Sequence, residues 1–240
     1  MKTVLKAGAI SFTAFILILQ FVFTFFAASL AVILYNMRFK GAVPYFVWAW
    51  GHVLFFLMGK RLYIYGRENC TRDSNYLVLV NHASLYDIPA VMAVFPQVSW
   101  LGREYLTRIP IFGQVLKITH YIPVSRDLSR GVKKIISSSI NAGEKKSIAI
   151  FPESTRTLDG NIQQFKRGFI HIQKGTKLDI LPVTLNGMYR LRPKPRFYIN
   201  PFTRLEVIIH QPIKNEEIED KTVPEILEKT KLIIESAYKL

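Results

Sequence analysis

The chain is short of several residue types and motifs, and each shortage removes a class of chemistry. Cys70 is its only cysteine, so it has no disulfide framework and no cysteine-based metal site, and a reducing or redox-indifferent compartment suits it. Its five histidines, His52, His82, His120, His171 and His210, are scattered without H-E-x-x-H or comparable spacing, so no metal is expected. There is no P-loop and no G-x-G-x-x-G, which argues against nucleotide-dependent phosphoryl or hydride transfer. A G-x-S-x-G elbow is missing too, so a serine hydrolase would lack the mounting for its nucleophile. Internal repeats and low-complexity tracts are absent.

Charge is missing over long stretches. No charged residue occurs from Ala7 to Met37, and as a helix that stretch exceeds the roughly 20 residues that cross a bilayer. It is too long for a cleaved signal peptide, and Val32 to Tyr35 continue it past the small residues among Ala27 to Ala31. A second uncharged stretch, Gly41 to Gly59, carries Tyr45, Phe46, Trp48, Trp50, Phe55 and Phe56, the aromatic content of an interface helix. The expected organisation is therefore a pair of membrane-associated helical segments in residues 1–60 and a domain in 61–240. Basic residues flank both apolar segments, so their bias leaves a spanning hairpin and a single span with an interfacial helix equally open. Residues 1–59 contain no acid, and the rest of the chain holds 28 basic against 17 acidic residues. That excess favours an anionic partner, and the apolar segments ahead of it select a lipid surface over nucleic acid.

Beyond Arg61 short apolar runs alternate with polar helical patterns. Strands are expected at Tyr76 to Val80, Val98 to Gly102, His120 to Val124, Ser147 to Phe151, Ile180 to Leu185 and Leu205 to Ile209. Helices are expected from near Ser84, within Arg103 to Gly113, over Ser129 to Asn141, and over Phe165 to Lys174. A last one runs from Thr222 to about Tyr238, with Glu225 completing a capping box. Alternation of this kind predicts an α/β sandwich with a largely buried sheet.

Two strand exits carry the chemistry. In YLVLVNHASLYDIP, Tyr76 to Pro89, Asn81 and His82 leave the strand and Asp87 follows in the first turn of a helix that Ser84 would cap. A neutral imidazole takes a proton from an alcohol near neutral pH, and a carboxylate on its other nitrogen fixes the tautomer and stabilises the imidazolium. With Ser84 committed to the cap, the alcohol would belong to the substrate. The same residues also fit an ordinary capped helix start. In FPESTRT, Phe151 to Thr157, Arg156 can hold a phosphate in a fork, with Ser154, Thr155 and Thr157 adding donors, and Glu153 can meet a substrate hydroxyl or orient the arginine. A solvated loop with one local ion pair is the alternative.

Taken together these residues resemble the glycerolipid acyltransferases, and most closely the bacterial 1-acyl-sn-glycerol-3-phosphate acyltransferases. NHASLYD matches their NHxSxxD block, Arg103 with Pro110 and Gly113 follows their next basic pattern, and YIPVSR ends in Arg126. FPESTRT then matches FPEGTRS, and FKRG with Lys166, followed by ILPVTLNG with Pro182, resembles the later blocks. The resemblance covers roughly Leu62 to Arg192. Ser154 and His120 stand where the family usually has glycine, and Pro123 and Ser125 replace commoner residues before Arg126.

The resemblance implies a mixed sheet covered by helices behind N-terminal hydrophobic membrane helices, at the cytoplasmic side of a cell inner membrane. It implies transfer of an acyl chain from acyl carrier protein or coenzyme A to the sn-2 hydroxyl of lysophosphatidic acid, giving phosphatidic acid, with no cofactor beyond the acyl thioester co-substrate. His82 and Asp87 would be catalytic. Arg126 and Arg156 would bind phosphate, Glu153 the glycerol end, and Arg103 the oxyanion or the phosphate. Asn81, Ser84, Ser154, Thr155 and Lys166 would support them. Another lyso-lipid acceptor, such as lysophosphatidylglycerol or a lyso-ornithine lipid, fits the Ser154 departure. A non-catalytic anionic-membrane module using Arg190, Arg192, Lys194 and Arg196 is the reading from another class.

Overall fold

The apolar N-terminal stretch forms one continuous helix in the computed structural model of the chain, which describes residues 2–71, 74–124 and 147–240. This helix, α1 (Lys2–Asn36), is long and apolar enough over Ala7–Asn36 to cross a membrane. It turns back through a short 3₁₀ segment into α2 (Val43–Leu57). On α2 the buried residues Val43, Val47, Gly51, Leu54 and Phe55 recur at helical spacing, so one stripe faces protein and leaves Tyr45, Trp48 and Phe56 exposed.

The domain then runs β1 (Leu62–Tyr65), β2 (Tyr76–Val80), α3 (Asp87–Val94), β3 (Ser99–Arg103), α4 (Phe112–Ile118), β4 (Ile122–Val124) and β5 (Ile148–Ile150). It continues with α5 (Gly168–Thr176), β6 (Asp179–Asn186), α6 (Met188–Leu191), β7 (Leu205–Ile209), α7 (Asn215–Ile218) and α8 (Val223–Ser236). Among the described residues the strands form one sheet in the order β1-β7-β6-β2-β5-β3-β4. β6, β2, β5, β3 and β4 run parallel to one another, and β7 is antiparallel to β6. The expected mixed sheet between helices is thus present.

Alternation along the central strands separates two cores. Val78, Val80, Leu181 and Val183 pack with Ala90 and Val91 of α3 and with Phe55 and Met58 of the hairpin. Leu77, Leu79, Ile148 and Ile180 face the other way, onto Phe169, Ile170 and Ile172 of α5 and Ile226 and Ile234 of α8. All five residues of β2 are buried, which explains its unbroken apolar sequence. The α2 and α3 axes come close at Gly51, where an added Cβ would lie 2.6 Å from the Pro89 carbonyl oxygen and 2.9 Å from Ala93 Cβ.

Several local expectations are corrected. α3 begins at Asp87, and its N-cap residue Tyr86 makes no side-chain cap. The Ser84 hydroxyl instead donates to the Arg192 carbonyl at 2.7 Å, and Ser84 bridges Pro193. In the Arg103 to Gly113 region there is a 3₁₀ turn, Glu104–Arg108, and the α-helix starts only at Phe112. Pro110 forces the preceding Ile109 into an extended conformation, φ −72° and ψ 126°, and so interrupts the helix. α5 starts at Gly168 because the chain before it is tied to the FPEST loop, with Lys166 N–H donating to the Pro152 carbonyl at 2.8 Å. The edge strand β1, missed in the sequence, shows a simple half-exposed alternation against β7. The capping box of Thr222 and Glu225 on α8 is present as read. The helix expected over Ser129 to Asn141 lies outside the described residues.

Candidate active site

Parallel neighbours leave a sheet at the same edge, so the polar turns that follow them meet there. β2 pairs with β5 through Leu79 and Ile150, which sets the turn of His82 beside that of Glu153. β3 ends at Arg103 on that edge, and β4 ends at Val124, two residues before Arg126, which lies outside the described residues. β6 delivers Arg192 to the same side, where it meets Ser84.

His82 is fixed from four directions. Its Nδ1 lies 2.8 Å from Asp87 Oδ2. Its backbone N–H donates to Glu153 Oε1 at 2.6 Å, and its carbonyl accepts from Thr157 N–H at 2.9 Å. Its ring stacks on Phe151 with centroids 3.8 Å apart and planes 10° from parallel, and Phe151 in turn rests on Trp100. The remaining ring nitrogen, Nε2, has no hydrogen-bond partner among the described residues, and the side chain is 15% exposed. With Asp87 on Nδ1, the free nitrogen is the one that can take a proton.

Asp87 is fully buried. Its Oδ2 accepts from His82 Nδ1 and also from the N–H groups of Ala83 at 2.7 Å and Ser84 at 2.8 Å. The carboxylate does locally what the sequence assigned to a serine cap: it gathers the free N–H groups of the turn. Asn81, 1% exposed, pairs with the backbone of β6, donating to Leu185 O at 3.1 Å and accepting from Leu185 N at 2.7 Å. It pins the strand exit.

Glu153 is also inward. Its Oε2 accepts from Gln163 N–H at 2.7 Å while Oε1 holds His82. Burial, aided by the charge of Asp87, pushes its carboxyl up to about 7 against the pull of those two N–H groups. The outward face of the loop carries exposed Ser154 and Thr155 and half-buried Arg156, with Lys166 and Arg103 exposed nearby in the fold. Neither the Arg103 nor the Arg156 guanidinium has a hydrogen-bond or ion-pair partner among the described residues. Ser154 and His120 both have left-handed backbones, with φ 63° and 57°; these are the two places where the resemblance leads one to expect glycine.

The family model described as Acyltransferase matches residues 61–186. The chain belongs to the acyltransferase family. It is 30% identical over 181 residues to a 1-acyl-sn-glycerol-3-phosphate acyltransferase of Cocos nucifera, covering 74% of this chain and 58% of that protein. A protein of the same name from Borreliella burgdorferi is 34% identical over 135 residues, with 54% and 52% covered. The chain thus spans just over half the length of these curated relatives. The crystal structure of the 1-acyl-sn-glycerophosphate acyltransferase PlsC from Thermotoga maritima aligns over 98% of this chain and 97% of its own, with TM-score 0.80 and 22% identity. That likeness establishes an acyltransferase-type fold.

Within this acyltransferase fold, sequence reasoning missed three positions that shape the site. Phe151, first residue of FPESTRT, is the platform under His82. Gln163 supplies the second N–H to Glu153. Gln20, an amide midway along an apolar helix, accepts from Tyr86 Oη at 2.8 Å and donates to Leu54 O at 2.9 Å. It thereby joins α1, α2 and the residue preceding Asp87. A buried polar residue in an otherwise apolar stretch was the available signal.

Proposed function

We propose that the chain transfers a fatty acyl group from a thioester to the free sn-2 hydroxyl of lysophosphatidic acid at a membrane surface. The observation that carries this reading is the His82 Nδ1 contact with buried Asp87 at 2.8 Å, on a ring whose Nε2 is unengaged. Nε2 removes the hydroxyl proton as the oxygen attacks the thioester carbonyl. The tetrahedral adduct collapses with cleavage of the C–S bond, and the imidazolium returns the proton to the departing thiolate. No acyl-enzyme is needed. Arg156 and Arg126 receive the acceptor's phosphate, and Arg103 stands on the same edge for the phosphate or the oxyanion. Glu153 serves by holding the His82 backbone. The names of the Cocos and Borreliella relatives support lysophosphatidic acid as acceptor, and the basic domain suits either acidic donor, acyl carrier protein or coenzyme A.

The test is acyl transfer in detergent and in liposomes, with lysophosphatidic acid and thioesters of both carriers. Phosphatidic acid is the expected product. Product only from lysophosphatidylglycerol or a lyso-ornithine lipid would keep the chemistry and change the acceptor; no product from any acceptor would favour a binding module.

Ser154 gives that second acceptor reading its specific observation, since it is an exposed residue with a left-handed backbone two positions before Arg156. Ser154→Gly is expected to gain about 0.5–1 kcal/mol of stability, the ~1–2 kcal/mol left-handed cost less the extra freedom of unfolded glycine. Thermal unfolding reads the gain, and a changed head-group ratio in the transfer assay reads any part Ser154 plays in selection.

The domain is proposed to face the cytoplasm of the inner membrane, with α1 and α2 in the lipid. Cys70 lies just beyond β1 and is partly buried, which raises its thiol above the ordinary value. A membrane-impermeant thiol reagent should therefore label it in lysed cells only, given long exposure; equal labelling of intact spheroplasts would place the domain outside.

A further inference from the structure

The connection from α6 to β7, residues 192–204, gives Ile199 to the core and the Arg192 carbonyl to Ser84, and its remaining residues, which the sequence marks as basic and aromatic, lie outside both roles. The structure sorts its cations. Arg196 donates to the carbonyls of Arg190, Leu191 and Tyr198, and Arg192 Nε donates to Phe197 O at 3.0 Å. Both brace the loop from within. What faces solvent is Lys194 together with Phe197, 53% exposed with the Arg192 guanidinium carbon 5.6 Å from its ring centroid, and Phe202, 93% exposed. Arg61 and Arg204 stand nearby, their guanidinium carbons 5.7 and 4.3 Å from the centroid of Tyr63, with Arg204 also paired to Glu206 at 2.9 Å.

The turn is fastened to the apolar hairpin. Ile199 N–H donates to Thr13 Oγ1 of α1 at 2.8 Å in a buried contact. Lys60, just past α2, donates to the carbonyls of Pro201 and Thr203, and Phe202 N–H donates to Asn200 Oδ1 at 3.1 Å. A single exposed phenylalanine is common on protein surfaces. This one is different in being presented on a braced turn tied to the end of α1 where Phe12 and Phe15 are also exposed. Aromatic rings with arginine and lysine are what the head-group layer of an anionic bilayer accepts.

We infer that Phe197 and Phe202, with Arg61 and Lys194, form a second lipid contact that enters the head-group layer of an anionic membrane beside the α1/α2 hairpin. This rests on the reading of the hairpin as the membrane element. A hairpin alone leaves the whole chain free to tilt in the bilayer; a second contact to one side removes that freedom and sets the height of the His82 edge above the lipid.

The test uses the full chain in a Cys70→Ser background, reconstituted in vesicles of phosphatidylcholine and phosphatidylglycerol with a lipid-borne quencher. An environment-sensitive fluorophore is placed by Phe202→Cys, Phe56→Cys or Lys221→Cys. Quenching at position 202 should match position 56 and exceed position 221 severalfold, and it should weaken in pure phosphatidylcholine or at high salt. Position 202 quenched no more than 221, with 56 quenched, overturns the second contact and leaves the hairpin reading standing. Quenching at none of the three removes the hairpin reading and the second contact together. Indifference to phosphatidylglycerol and salt overturns the anionic part. Independently, Phe202→Asp should lower turnover of vesicle-borne acceptor about tenfold while sparing detergent-dispersed acceptor. Equal loss in both would also count against the contact.

Discussion

Replacing His82 with alanine is expected to lower kcat for acyl transfer roughly 10²–10⁴-fold, the share of a positioned general base. The affinity for lysophosphatidic acid should be unchanged, because the proposed phosphate ligands, Arg156 and Arg126, are other side chains. The backbone N–H and C=O of residue 82 keep their bonds to Glu153 and Thr157, so the variant folds and the comparison is clean. Asp87→Asn separates orientation from charge. The amide oxygen can still accept from Ala83 and Ser84, and its NH₂ takes the place of Oδ1, which has no hydrogen-bond partner among the described residues. The turn therefore survives, but the imidazolium loses its counter-charge, and a loss on the order of 10²–10³-fold in kcat follows. Turnover and equilibrium lipid binding, measured side by side, check both. A folded His82→Ala protein that loses lipid binding in proportion to rate would remove the base assignment.

Glu153→Gln is the second large effect, and its signature is in pH. Ionised Glu153 accepts two N–H groups, from His82 and Gln163. Once protonated, one oxygen carries a hydrogen towards one of those donors and the clamp loosens. Activity should therefore rise as pH climbs through about 7. Stability runs the other way. The unfolded carboxyl releases its proton near 4.5 and the folded one near 7, so between these values the folded state binds more protons. Stability then falls with rising pH in that window, by about 3 kcal/mol if the whole shift is realised. In Glu153→Gln that part of the slope disappears, and an amide facing a backbone N–H costs about 1–3 kcal/mol and should lower kcat by roughly 10–100-fold through a loosened base. Denaturant unfolding at a series of pH values, with kcat measured over the same range, reads both. Parallel stability curves for the two proteins would rule out Glu153 as the titrating group.

The site was only partly legible from sequence. The strand exits were readable because β2 and β5 announce themselves as short apolar runs, and His82, Asp87 and Glu153 stand at their ends. What Glu153 does was not, since its partner His82 lies 71 positions away and no local pattern records a carboxylate turned to backbone. Ser84 looked like a cap by spacing alone; its hydroxyl is drawn to Arg192, a contact created only when β6 packs beside β2. Pro110 was read as lying inside a helix and turn, whereas it separates a 3₁₀ turn from a helix that starts at Phe112. Ser154 and His120 looked like departures in chemistry, and the structure shows them also to be departures in backbone cost.

The close approach of α2 to α3 at Gly51, with Phe55 and Met58 seated among Val78 and Val80, bears on how such an enzyme could be handled. Cutting the chain at residue 60 to obtain a water-soluble catalytic fragment would strip one wall from the interior and leave α3, which begins with Asp87, facing water along an apolar flank. Solubility would have to come from repainting the outward rings of the hairpin, Phe21, Trp48 and Phe56 among them, with the hairpin itself retained.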